Sequence, residues 1–122
     1  MDVIEPNFQI DVNSELEYIE FGNLARQVWD ALSINWAKKG MAGETSDNWI
    51  EITKNPRYNP AFLELDNGWF YYRYFVTVAY KHKSIRDPSE IEKQISFARS
   101  LKHGLVKGKC RVKVHAEFEN LL

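Results

Sequence analysis

The sequence predicts an α+β protein, a two-layer sandwich with two helices on one face of a mainly antiparallel sheet, in the order β-α-β-β-β-α-β. Three observations lead there. Two stretches, 23–39 and 88–103, carry apolar residues at helical spacing on one side only. Others, such as 8–12 and 110–118, alternate apolar and polar residues as half-buried strands do. Helices and strands that are each apolar on one side bury those sides against one another in two layers.

Phe8-Gln9-Ile10-Asp11-Val12 is the first such alternation, and Asn13-Ser14 breaks it. Residues 15–21 read either as a helix or as a second strand. Ser14 with Glu17 three residues later makes a capping box and favours the helix, with Gly22 as its weak point. From Asn23 to Lys39 the helical period is clear. Leu24, Ala25, Val28, Trp29, Ala31, Leu32 and Trp36 fall in one arc of about 160°, with Asp30 and Arg26 opposite. Leu32 lies near the centre of that arc and is expected in the core. Gly40 suits the helix end.

Residues 40–48 lack an apolar period and read as a loop, longer than most connections. Residues 49–53, Trp-Ile-Glu-Ile-Thr, form a strand of β-favouring types, and Asn55-Pro56 and Asn59-Pro60 punctuate the next loop. Residues 62–65 and 69–80 flank Asp66-Asn67-Gly68, the signal of a β-hairpin. In the longer run the even positions from Phe70 to Tyr80 make an apolar face. The odd positions Trp69, Tyr71, Arg73 and Phe75 make a mixed one. Asp87-Pro88-Ser89-Glu90 supplies an N-cap acceptor, a first-turn proline and an N3 glutamate for the second helix, which Gly104 is expected to end. In the final strand, 110–118, Cys110, Val112, Val114, Ala116 and Phe118 point one way. Arg111, Lys113, His115 and Glu117 point the other.

With 122 residues, 44% hydrophobic and 27% charged, the chain has the make-up of an ordered globular protein, and 1–122 reads as a single domain. No apolar run reaches the roughly 18 residues a membrane span needs, and the start, Met1-Asp2-Val3-Ile4-Glu5, is too acidic for a signal peptide. A cytoplasmic location is therefore expected. Net charge is −1, yet residues 1–60 hold ten acidic against five basic residues, and residues 61–122 hold seven against eleven. That asymmetry reads as two solvated faces drawn from different stretches of chain.

Catalytic chemistry has little to stand on. His103 belongs to a helix terminus, His82 to a solvated strand end between two lysines, and His115 to a charged strand face. Cys110, the one cysteine, shares its phase with Val112 and Val114 and reads as a buried, inert thiol. No metal-ligand spacing or phosphate-binding loop occurs, so neither metal nor cofactor is expected. The informative group is the mixed strand face. Trp69, Tyr71, Arg73 and Phe75, joined by Arg111, Lys113 and His115 if the last strand lies beside them, have the composition of protein-interface anchors. The expectation is a non-catalytic protein-interaction module, such as an inhibitor, adaptor or immunity-type partner, or a self-associating chain. Two alternatives stand beside it. One is a small-ligand pocket, enzymatic or not, between helices and sheet, lined by Trp29, Trp36, Trp49 and Tyr72. The other is a surface for single-stranded nucleic acid, which also uses aromatic and cationic sheet faces.

Overall fold

A computed structural model describes residues 4–38, 40–83, 85 and 87–122. Those residues form strands β1 (Phe8–Asn13), β2 (Asn35–Trp36), β3 (Ala42–Glu44), β4 (Asn48–Lys54), β5 (Tyr74–Tyr80) and β6 (Arg111–His115), and helices α1 (Tyr18–Val28) and α2 (Pro88–Lys107). Every strand pairing is antiparallel, and the sheet order is β2-β3-β4-β5-β1-β6. The fold class is the expected α+β sandwich, in the order β-α-β-β-β-β-α-β.

The core lies between the sheet and both helices. Phe8, Ile10 and Val12 of β1 join Ile50, Ile52, Tyr74, Val76, Val78 and Val114 on one sheet face. Phe21, Ala25, Ala98, Leu101 and Leu105 come down on them from α1 and α2. Phe21 stacks flat on Tyr74, with ring centroids 4.5 Å apart. The start of α2 forms as its residues dictate: Asp87 Oδ1 accepts the Ser89 N–H at 2.9 Å, and Pro88 occupies the first turn. Cys110 is buried at the core margin, and burial pushes its thiol pKa up.

Several sequence expectations need correction. The helix expected to continue to residue 39 stops at Val28, and a 3-10 turn at Asp30–Leu32 leads through left-handed Ser33 into β2. The cause is a pair of tryptophans. Positions 29 and 36 on a continuous helix would lie about 10 Å apart along its axis. The reversed chain instead stacks their rings at 6.1 Å. Leu32 is consequently partly buried at the edge of the core rather than central to it. The capping box does not form: Ser14 Oγ accepts the Leu16 N–H at 3.1 Å, and Glu17 caps α1 with no side-chain bond. Residues 40–48 hold β3, a hairpin partner of β4. The expected helix end at Lys39 and the start at Met1–Val3 lie outside the described residues.

The expected strand at 62–65 and the Asn67-Gly68 hairpin are absent. Pro60–Phe62 and Gly68–Tyr71 are 3-10 turns, and β5 begins only at Tyr74. The local hairpin signal loses to tight packing inside the connection. A Cβ on Gly68 would sit 2.0 Å from the Leu63 carbonyl oxygen. The last strand is shorter than 110–118, ending at His115, after which Phe118 packs edge-on against Phe8 at 5.7 Å.

Gly104 does not end α2, which runs on to Lys107. It is where α2 passes the end of α1. A Cβ there would stand 2.9 Å from Trp29 Cδ1 and 3.0 Å from the Val28 carbonyl oxygen. The Trp29 indole N–H donates to the Leu101 carbonyl at 3.0 Å across the same crossing. Gly104→Ala should therefore lower stability by roughly 1–3 kcal/mol in urea unfolding, although alanine is the better helix former by about 1 kcal/mol. Native Cys110 should react slowly with a thiol reagent and quickly once urea unfolds the chain.

Candidate functional site

The sequence places the expected binding residues on the sheet face turned away from the helices. Strand register puts Arg111, Lys113 and His115 of β6 beside Asn13, Asp11 and Gln9 of β1, with Phe75 and Thr77 of β5 next in line. The connection 55–73, between β4 and β5, folds back over this half of the face. Its root is Asn55, which is buried and donates from Nδ2 to the carbonyls of Phe70 and Tyr72 at 3.0 and 2.6 Å. Its far end is held by Trp69, whose ring lies 4.7 Å from that of His115.

Beneath Trp69 the face holds a buried carboxylate. Asp11 is 2% exposed; His115 Nε2–H donates to its Oδ2 at 2.7 Å and Gln9 Nε2 donates to its Oδ1 at 2.9 Å. A polar group so placed is tolerated because both oxygens are bonded. Arg57 reaches over Phe70 at 4.0 Å and Phe75 at 5.6 Å, fixing the middle of the connection. Arg111 pairs with Glu64 at 2.7 Å and so ties the connection to β6.

The seven residues read from the sequence thus have three fates. Trp69 meets His115, while Phe75 and Arg111 meet Arg57 and Glu64, so these four fasten the sheet to the connection at separate points. Tyr71 packs on Phe62 at 4.9 Å within the connection, and Lys113 lies 3.9 Å from Glu119. Arg73 leaves the group. The 3-10 turn at Gly68–Tyr71 destroys the alternation that would have set it beside Trp69. Its guanidinium goes to the end of the sheet, 2.8 Å from Glu17 and over the rings of Tyr58 and Tyr74. The four residues expected around a ligand pocket separate too. Trp29 and Trp36 stack on the helix side, Trp49 is 52% exposed on the outer face, and Tyr72 is buried beside Arg111.

What the sequence reading missed is the outward side of the connection. Tyr58, Phe62 and Leu65 are 37%, 41% and 52% exposed. The signal was available in the two Asn-Pro pairs, which break any strand before Phe62, and in the length of chain between β4 and β5. This connection contains two 3-10 turns and is pinned at several points.

A cleft of about 320 Å³ lies elsewhere, between α2 and the turn joining β3 to β4. His82 Nε2 stands 3.0 Å from Asp47 Oδ1 at its edge, and burial, then Glu90 and Asp47, raises the Tyr80 hydroxyl above its ordinary pKa. Asn48 and Gln94 in its wall bond each other, at 3.0 and 2.8 Å, and Thr45 Oγ1 accepts the Asn48 N–H at 3.1 Å. Its buried polar groups are satisfied within the chain. Among the described residues no three His, Cys, Asp or Glu side chains cluster as metal ligands, and no helix is long and apolar enough to cross a membrane.

Comparison with protein-family models, curated proteins and solved structures found no match.

Trp69→Ala should release the connection, giving several-fold faster proteolysis within 56–67 while the far-ultraviolet circular dichroism of the sheet persists. His115→Ala should cost roughly 1–3 kcal/mol by leaving one Asp11 oxygen without a donor.

Proposed function

We propose that the chain is a protein-binding module whose contact surface is the outward side of the connection 55–73, centred on Tyr58, Phe62 and Leu65. The observation that carries this reading is the conjunction of exposure and anchoring. Three large side chains, two of them aromatic, face solvent from a segment fixed by Asn55, Trp69, Arg57 and Arg111. Such residues exposed on a rigid support are what interface anchors look like before the partner arrives. A support already ordered in the free state removes much of the entropic cost of binding.

This reading keeps the class of function expected from the sequence and moves its centre. The surface is the back of the segment that covers the sheet, and only Arg73, at its rim, carries over from the expected contact set. A small polar ligand in the cleft by Asp47 and His82 is the second reading, and it rests on that cleft's volume. Single-stranded nucleic acid loses the open basic face that favoured it, because Arg111, Lys113 and Arg73 each face a carboxylate.

The test is Phe62→Ser with Leu65→Ser, both at exposed positions where folding should survive. Tagged wild-type chain is cross-linked in a lysate of the source cells, the captured protein is identified and purified, and the binary affinity is measured. At least a tenfold loss is expected for the double variant, since interface anchors typically contribute 2 kcal/mol or more. Undiminished affinity in a folded double variant would refute the assignment.

A further inference from the structure

Beside that surface, at the root of the same connection, is a cavity of about 220 Å³. Tyr18 of α1, Tyr58 of the connection and Tyr74 of β5 form its walls, and Lys54 and Arg73 supply its charge. Two of the walls are fixed: the Tyr18 hydroxyl donates to the Ile52 carbonyl at 2.6 Å and the Tyr74 hydroxyl to the Leu16 carbonyl at 2.5 Å. Arg73 lies 5.3 Å from the Tyr58 ring centroid and 5.5 Å from that of Tyr74, and Lys54 Nζ lies 5.1 Å from that of Tyr18. Both cations are therefore positioned by rings.

The anion in this cavity is far less constrained than the cations. Arg73 Nη2 meets Glu17 Oε2 at 2.8 Å, but the Glu17 side chain is 77% exposed against 19% for Arg73. Arg73 is also kept in place by Nη1, which donates to the Glu15 carbonyl at 3.2 Å. Among the described residues, Lys54 has no carboxylate within ion-pair distance. Glu17 makes no side-chain cap for α1, so its carboxylate can leave Arg73 without uncapping the helix.

We infer that this cavity receives one carboxylate side chain, an Asp or Glu of the protein partner, which displaces Glu17 from Arg73 and adds Lys54 as a second contact. The inference rests on reading the connection 55–73 as the contact surface and names the chemistry that the partner brings to it. A carboxylate is the group Arg73 already holds, in a geometry suited to charge-assisted hydrogen bonds. A polyanion is disfavoured, because Glu17 lines the cavity and the charges of Glu20 and Glu51 are near enough to act on Tyr74 and Tyr18. One charge fits between the two cations; a phosphate chain would meet those acids.

The experiment is a heteronuclear NMR titration of the full chain with acetyl-Gly-Glu-Gly-amide, its Gln analogue and oligothymidylate. Saturable shifts at Lys54, Tyr58 and the Arg73 Nε–H are expected with the Glu peptide alone, at roughly millimolar affinity for a single contact. Glu17→Gln removes the internal competitor and should tighten binding about threefold to fivefold, the range that a surface ion pair supports. Arg73→Lys, which keeps the charge but not the fork, should weaken it at least fivefold. Equal shifts from the two peptides, unchanged or weaker binding in Glu17→Gln, or tighter binding of oligothymidylate at these residues would each overturn the inference. Failure here, with the Phe62/Leu65 variant still losing its partner, would remove the carboxylate receptor and leave the contact surface standing. An undiminished partner complex in that variant would remove the contact surface, whatever the peptide does.

Discussion

Strand β1 has to be covered on both sides. Ile10 and Val12 face the helices and are fully buried, while Asp11 between them faces the other way and is buried almost as deeply. A strand in the middle of a sheet can present one polar face to water, but a carboxylate with both oxygens bonded to Gln9 and His115 needs a roof to keep that arrangement dry. The helices provide the inner cover, and the connection between β4 and β5 provides the outer one. Because that connection is held face-down by Trp69, Phe70 and Arg57, Tyr58, Phe62 and Leu65 are left on its outward side. The aromatic surface assigned to partner binding is in this sense the reverse side of a structural requirement.

The distribution of charge follows from the same topology. The acid-rich first half of the chain contributes β1, which lies between β5 and β6 of the base-rich second half. Asp11 meets His115 and Glu17 meets Arg73 across that divide. Arg111 with Glu64 and Lys113 with Glu119 are settled within the second half. The asymmetry along the sequence is therefore folded into short-range pairs. Most of these pairs are exposed and contribute little stability; their effect is on which segment lies against which.

What could be read from the sequence was what local chemistry decides. Asp87 and Pro88 start α2 because a side-chain acceptor and a fixed φ act within one turn. The phase of Tyr74, Val76 and Val78, and that of Val112 and Val114, follows from strand alternation alone. What could not be read was decided by contacts between distant residues. Trp29 and Trp36 share one helical face on paper, yet stacking draws the chain back on itself. Asn67-Gly68 has the residues of a hairpin, but Asn55 holds the carbonyls of Phe70 and Tyr72 and Gly68 is pressed on Leu63, so neither flanking segment extends. Gly104 looks like a helix terminator and is a crossing point, which only the position of Trp29 reveals. At the candidate site, the sequence set Arg73 beside Trp69 on a strand face that does not form, and the structure turns it to Glu17 and Tyr58 instead. The outward turn of Phe62 and Leu65 depends on where Trp69 lands, which no local pattern encodes.

The sheet order carries a kinetic consequence. β1 pairs with β6, and the Asp11–His115 contact joins positions 104 residues apart. Contacts of such separation are slow to form, because the entropy of closing the intervening chain is lost before the contact rewards it. Until β6 docks, β1 is an edge strand with an unpaired row of backbone groups and a carboxylate that lacks one of its two donors. A polar, charged residue at the centre of a waiting edge is a known deterrent to wrong pairing between chains. Asp11 thus puts a charge at the centre of that edge in any state that lacks β6, and it gains its second donor only when β6 pairs.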